Sequence, residues 1–254
     1  MRYCGGPLVE PASFLRQLPV CVPDDVRIIF DAIVVASDVI AQAFSVLRTS
    51  ACQIDIEKDL EDIIRARLIG QCWAIIDQLH TIRQLVTLQA GKELGPKTEA
   101  FLEISSTVHK LRNKMDHLRT NIGNLSKQKG ALIPIFGVVS YIYTTDSSGK
   151  NILCVSAMAG SLHGEDSIPM VDPTDRVMYP PVDHFQLYAF GEKFEIEPSL
   201  TSFRDLIADV SAAFKIDVEF QAKRRAEVSE DKLEDLMAKR AVGLRIILNY
   251  KKCE

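Results

Sequence analysis

The chain has 254 residues, 47% of them hydrophobic and 25% charged, enough apolar sequence to bury a sizeable core in one large domain or two small ones. Its 30 basic and 34 acidic residues leave a net charge of −4, which removes any global electrostatic case for nucleic-acid binding, so an RNA contact has to come from a local patch. Cys4, Cys21, Cys52, Cys72, Cys154 and Cys253 are scattered without a C-x-x-C pair, as expected of reduced thiols in a cytosolic protein rather than of a metal knuckle.

Residues 1–23 carry Gly5, Gly6, Pro7, Pro11, Pro19 and Pro23, a density of breakers that predicts an irregular lead-in with one short helical turn at 13–18. Residues 1–10 hold one Arg and no apolar run, so no secretory signal is expected there. A first helix is predicted from Asp24 or Asp25, with acids in its first turn and Val26, Ile29, Ile33, Ile40, Phe44 and Leu47 on one face. Asp31 and Asp38, seven apart, interrupt its most apolar stretch on a single side, which predicts an amphipathic core helix rather than a membrane span. A soluble, cytoplasmic protein is the expectation.

A second helix is predicted over 57–88, where Leu68, Cys72, Ile75, Leu79, Ile82 and Val86 alternate at steps of four and three with Trp73 beside them. Gly91, Gly95 and Pro96 punctuate the next linker. A third helix over 98–126 follows, with Ile104, Val108, Leu111, Met115, Leu118, Ile122 and Leu125 as one continuous seam. Three such seams predict antiparallel, mutually packed helices over 24–127.

Beyond Gly130 the period becomes extended. Residues 133–143 and 152–158 flank a turn-rich stretch and predict one β-hairpin; 185–190 and 193–196 predict another, with Gly191-Glu192 as a type II′ turn. Residues 163–181 read as a loop, and Asp183-His184 as a turn before a strand. From Ser199, the residues Phe203, Ile207, Val210 and Phe214 predict a fourth bundle helix; 229–240 read as amphipathic and 242–250 as a terminal strand. The expected fold is α+β and mainly α. It comprises an antiparallel up-and-down helical bundle with a small antiparallel sheet of two hairpins at 131–197 and C-terminal helices at 199–254.

The third helix carries the chemistry. At about 100° per residue, His109, Asn113, Asp116, His117 and Thr120 share an arc opposite the seam. His109, Asn113 and His117 follow at steps of four, but no Glu or Cys nearby completes a ligand set, so no metal and no cofactor is expected. On the second helix, Asp77, His80 and Arg83 form another polar cluster, expected to be a structural network facing this face. His163-Gly164-Glu165-Asp166 and Asp172-Pro173-Thr174-Asp175 read as solvated loops. The basic residues of 223–225 are balanced by acids nearby, and the chain has no Gly-rich phosphate loop, Walker pattern or nucleophile elbow.

The segment Leu111-Arg112-Asn113-Lys114-Met115-Asp116-His117 resembles the Arg, polar residue, three residues, His signature of the HEPN superfamily. Trp73-Ala74-Ile75-Ile76-Asp77 with His80 resembles the corresponding helix of an uncharacterised bacterial group bearing the same Leu-Arg-Asn string. The resemblance implies a four-helix bundle, a homodimer that brings two motifs together, and metal-independent RNA cleavage with Arg112 and His117 as the catalytic pair. Asn113, Asp116 and His109 would support them. It also implies a toxin, antitoxin-controlled or defence context, with RNA or a protein as partner and neither DNA nor membrane. An always-charged, bidentate Arg and a His near its reference pKa of about 6.5 suit cleavage of RNA by its own 2′-OH, which needs a base and a cation for the phosphorane. On one ideal helix Arg112 and His117 point about 140° apart, so a second subunit has to complete the site. Leu118-Arg119-Thr120 follow the His where active family members often place an aromatic residue. The opposing expectation is a non-catalytic helical module for dimerisation or partner binding, with Arg112 simply paired to Asp116 at i+4.

Overall fold

A computed structural model describes residues 3–54, 61–90, 95–125, 135–144, 152–158, 170–174 and 181–239. The protein is mainly helical with one four-stranded antiparallel sheet. Two long helices, α1 (Asp24–Cys52) and α2 (Asp62–Ala90), pack along each other. Three short helices follow: α3 (Pro96–Ile104), α4 (Ser106–Asp116) and α5 (Leu118–Leu125). Strands β1 (Val138–Thr144), β2 (Ile152–Met158), β3 (Val182–Ala189) and β4 (Glu192–Glu195) come next, and β4 runs directly into α6 (Ile196–Val228). A single turn, α7 (Leu233–Leu236), ends the described chain.

The predicted seam of α1 is buried at Ile33, Ile40, Phe44 and Leu47, and that of α2 at Leu68, Cys72, Ile75, Leu79 and Ile82. Among the described residues α1 alone is long and apolar enough to cross a bilayer; in the fold its apolar face lies against α2, Tyr3 and Phe185. Asp31 and Asp38 are exposed as expected, and Asp38 takes both terminal nitrogens of Arg16, at 2.9 and 2.6 Å. The lead-in has its short turn at Phe14–Arg16, capped by the Ser13 hydroxyl. Leu8, Val9, Leu15 and Leu18 are buried, and Val20 and Cys21 pair by backbone with Ala238 and Leu236.

The third helix departs from expectation. It breaks twice, at Ser105 and at His117. Buried Ser105 bonds back to the carbonyl of Phe101, while Arg83 reaches in from α2 to take the Leu102 carbonyl and the Ser105 hydroxyl. An inserted side chain of this kind interrupts the helical ladder. At the second break the Asn121 amide takes the Lys114 carbonyl at 2.5 Å. The phase therefore slips at each break. Val108 and Leu111 of the predicted seam are buried, whereas Ile104 and Ile122 lie exposed.

Both hairpins form and join through β1 and β3 into one sheet of order β2-β1-β3-β4. The second hairpin turns on Phe190-Gly191, not on Gly191-Glu192. Both residues have positive φ, 53° and 78°, which makes the turn type I′ rather than II′. Asp183-His184 is not a turn either. It lies buried inside β3, where His184 at φ 59° is the extra residue of a bulge opposite Tyr141.

Helix α6 begins at Ile196, three residues before the predicted Ser199, and packs on α3 and β3. Phe203 and Ile207 are buried as predicted, Phe203 against Phe101 of α3. Among the described residues of the amphipathic stretch predicted at 229–240, only the single turn α7 is helical beyond the end of α6. The predicted terminal strand at 242–250 and the cluster 163–166 lie outside the described residues, and Asp172-Pro173-Thr174 is irregular chain.

Candidate functional site on helix α4

Helix α4 is held on two sides. Lys114 donates to the Phe190 carbonyl at 2.8 Å and to Glu192 at 2.9 Å, and Lys110 lies 3.7 Å from the other Glu192 oxygen. The Lys114 ammonium holds the Glu192 carboxyl below its ordinary range. Trp73 of α2 stacks edge-on against Phe190 and donates its indole N–H to the Phe136 carbonyl at 3.0 Å. On another flank of the helix, His109 and Arg112 meet α2, and Asn113 and Asp116 contact them from one turn on.

Arg112 is clasped by two carboxylates. Its Nε lies 3.1 Å from Asp77 Oδ1 on α2, and its Nη1 lies 2.7 Å from Asp116 Oδ1 one turn on. About a third of the side chain is exposed, 33%, and Nη2 has no partner among the described residues. The i+4 pair was legible in the sequence. Asp77 joins it because the α2–α4 packing brings two polar faces together.

His80 of α2 stacks on His109 of α4, with ring centroids 5.5 Å apart and planes at 21°. Each imidazole meets an amide four residues on: His80 Nε2 lies 3.1 Å from Gln84 Nε2, and His109 Nε2 lies 3.0 Å from Asn113 Nδ2. Burial first, then the neighbouring His109, Arg112 and Arg83, disfavour the His80 cation and pull its pKa below the usual imidazole value; Asp116 opposes them. Asn113 therefore orients His109.

His117 caps α4 rather than riding on its face. Its N–H donates to the Asn113 carbonyl at 3.1 Å, its own carbonyl accepts from Thr120 and Asn121, and its imidazole is exposed with no partner among the described residues. The arc predicted to hold His109, Asn113, Asp116, His117 and Thr120 thus keeps its first three members. The helix break assigns His117 to a corner and Thr120 to α5.

Asp77, His80 and Arg83, expected as a structural network facing this face, do face it: the first two join the α4 residues and Arg83 is planted in the break at Ser105. The repeated His-x-x-x-amide spacing, His80/Gln84 and His109/Asn113, was the signal that pointed to this pairing. Among the described residues no group of three or more His, Cys, Asp or Glu is placed to hold a metal ion. Compared with family models, with curated proteins and with solved structures, the chain matches none of them.

Proposed function

We propose that this protein is a HEPN-like, metal-independent endoribonuclease that acts as an RNA-directed toxin or defence component and cleaves RNA through the 2′-OH at a site shared by two subunits. The observation that carries the reading is the complementary state of its two key groups. Arg112 is fixed at two nitrogens with Nη2 open, and His117 presents an unpaired imidazole at the exposed end of the same helix. A held guanidinium is preorganised for a phosphate oxygen, and an exposed, unpaired imidazole is a side chain suited to general base catalysis. His117 would take the 2′-OH proton, and the new oxygen would attack phosphorus as the bond to the 5′ oxygen breaks. The products are a 2′,3′-cyclic phosphate and a 5′-hydroxyl protonated by solvent. Arg112 of one subunit would meet the phosphorane formed against His117 of the other.

The test is incubation of purified protein with total RNA in EDTA beside His117→Ala and Arg112→Ala. Cleavage by the wild type and its loss in both variants is the expected result; an inert wild type, or equal cleavage by all three, overturns the reading. A second reading has its own observation. Two carboxylates surround one guanidinium, leaving the Arg112 cluster net negative, which suits a structural clasp in a non-catalytic helical module for dimerisation or partner binding. An inert but dimeric wild type would favour it.

A further inference from the structure

Between α2 and α4 runs an open groove of about 500 Å³ lined by His80, Arg83, Gln84, Thr87, Leu88 and His109. We propose that this groove is a subsite for one nucleotide of single-stranded RNA, with His80, Gln84 and His109 as its positioning residues. The proposal rests on RNA being the substrate of the α4 motif and adds to it the α2 half of the surface.

The volume falls within the roughly 300–1,000 Å³ typical of small-ligand pockets. Its lining has the parts a nucleotide needs. The stacked imidazoles of His80 and His109 give a planar π surface, and Thr87 and Leu88, both exposed, supply an apolar wall. The amides of Gln84 and Asn113 stand at the ring edges and match the alternating donors and acceptors of a base edge. Arg83 lends positive charge, although its Nη1 is committed to Leu102 and Ser105.

Burial, and then the neighbouring charges, set the form of His80. From α2, Asp77 and Arg83 face the rings, and from α4, Arg112 and Asp116 do. The cations and the second imidazole outweigh the acids at His80, whose buried Nδ1 also lacks a partner, so a proton there would have nothing to bond. His80 is therefore held toward its neutral form and offers stacking surface rather than a fixed cation. Bases inside an A-form duplex cannot reach such a surface, whereas splayed bases of a single strand stack readily on aromatic rings. This selects the single strand.

The test uses a labelled single-stranded oligoribonucleotide, fully 2′-O-methylated to block cleavage, in fluorescence anisotropy, with the matching duplex as comparison. The wild type should bind the single strand in preference to the duplex. His80→Ala and Gln84→Ala should each weaken binding at least about fivefold, and His80→Phe, which keeps a stacking ring, should restore most of it. Gln84 is exposed, so its variant guards against misreading a folding defect. Absence of single-strand binding by the wild type, equal binding of the duplex, or unchanged binding by both alanine variants overturns the subsite. The binding pattern without any cleavage in EDTA would uphold the subsite while sinking the nuclease reading. Cleavage with a KM that both alanine variants leave unchanged would do the reverse.

Discussion

Arg112 shows how one side chain can be read from the string and still be misjudged in isolation. Its i+4 partner Asp116 is visible in the sequence, but Asp77, 3.1 Å from Nε, is supplied by the packing of α2 and converts a surface pair into a fixed fork. A lysine cannot span both carboxylates and still present a donor to phosphate, so Arg112→Lys should lower cleavage by about 100-fold or more while moving stability by about 1 kcal/mol at most. Single-turnover rates and thermal melts on the same samples separate the two. His80 gives the pH prediction. Its folded pKa lies below the ordinary 6.5, so its contribution is complete above that value and is lost as pH falls through and below it, where the unfolded chain binds the proton more readily. Melting temperature should drop between about pH 7.5 and 5.5, and His80→Phe should flatten that part of the profile.

Helices with a long, uninterrupted apolar period were legible: α1 and α2 bury the residues their seams named, apart from Val26, Ile29 and Val86, which are half-buried against the core. The third seam was equally regular in sequence, yet the chain breaks it at Ser105 and His117. The causes are an arginine inserted from another helix and an amide bonding back to Lys114, neither of which has a periodicity. Ser105→Ala would leave the half-buried Arg83 with the Leu102 carbonyl but without its hydroxyl acceptor and should cost about 1–3 kcal/mol in chemical denaturation. Both hairpins were legible from turn composition, whereas the type I′ geometry was not. Phe190 accepts positive φ because its ring packs on Trp73 and its carbonyl holds Lys114. Gly137, at the entry to β1, has the sharper demand: φ is +84°, and an added Cβ would lie 2.4 Å from the Tyr188 carbonyl oxygen. Gly137→Ala should destabilise by about 2–5 kcal/mol, seen as a lower denaturation midpoint.

For the whole molecule, the motif lies at one exposed corner, where α4 ends and α5 begins, while α1, α2, the sheet and α6 build the core. Sequence alone placed Arg112, Asn113 and His117 within one motif, with Arg112 and His117 about 140° apart on an ideal helix; the fold distributes the three between a clasp, an imidazole support and a helix cap. Under the proposed function that division calls for a second subunit, because the helix turns away at the residue that would act with Arg112. The most direct test mixes the two inactive chains. Arg112→Ala and His117→Ala should each be inert alone, yet after co-refolding the heterodimer holds one intact pairing, Arg112 from one chain and His117 from the other, so RNA cleavage in EDTA should return to a measurable fraction of the wild-type rate. Mixed chains that dimerise and remain as inactive as either variant alone would contradict a shared site.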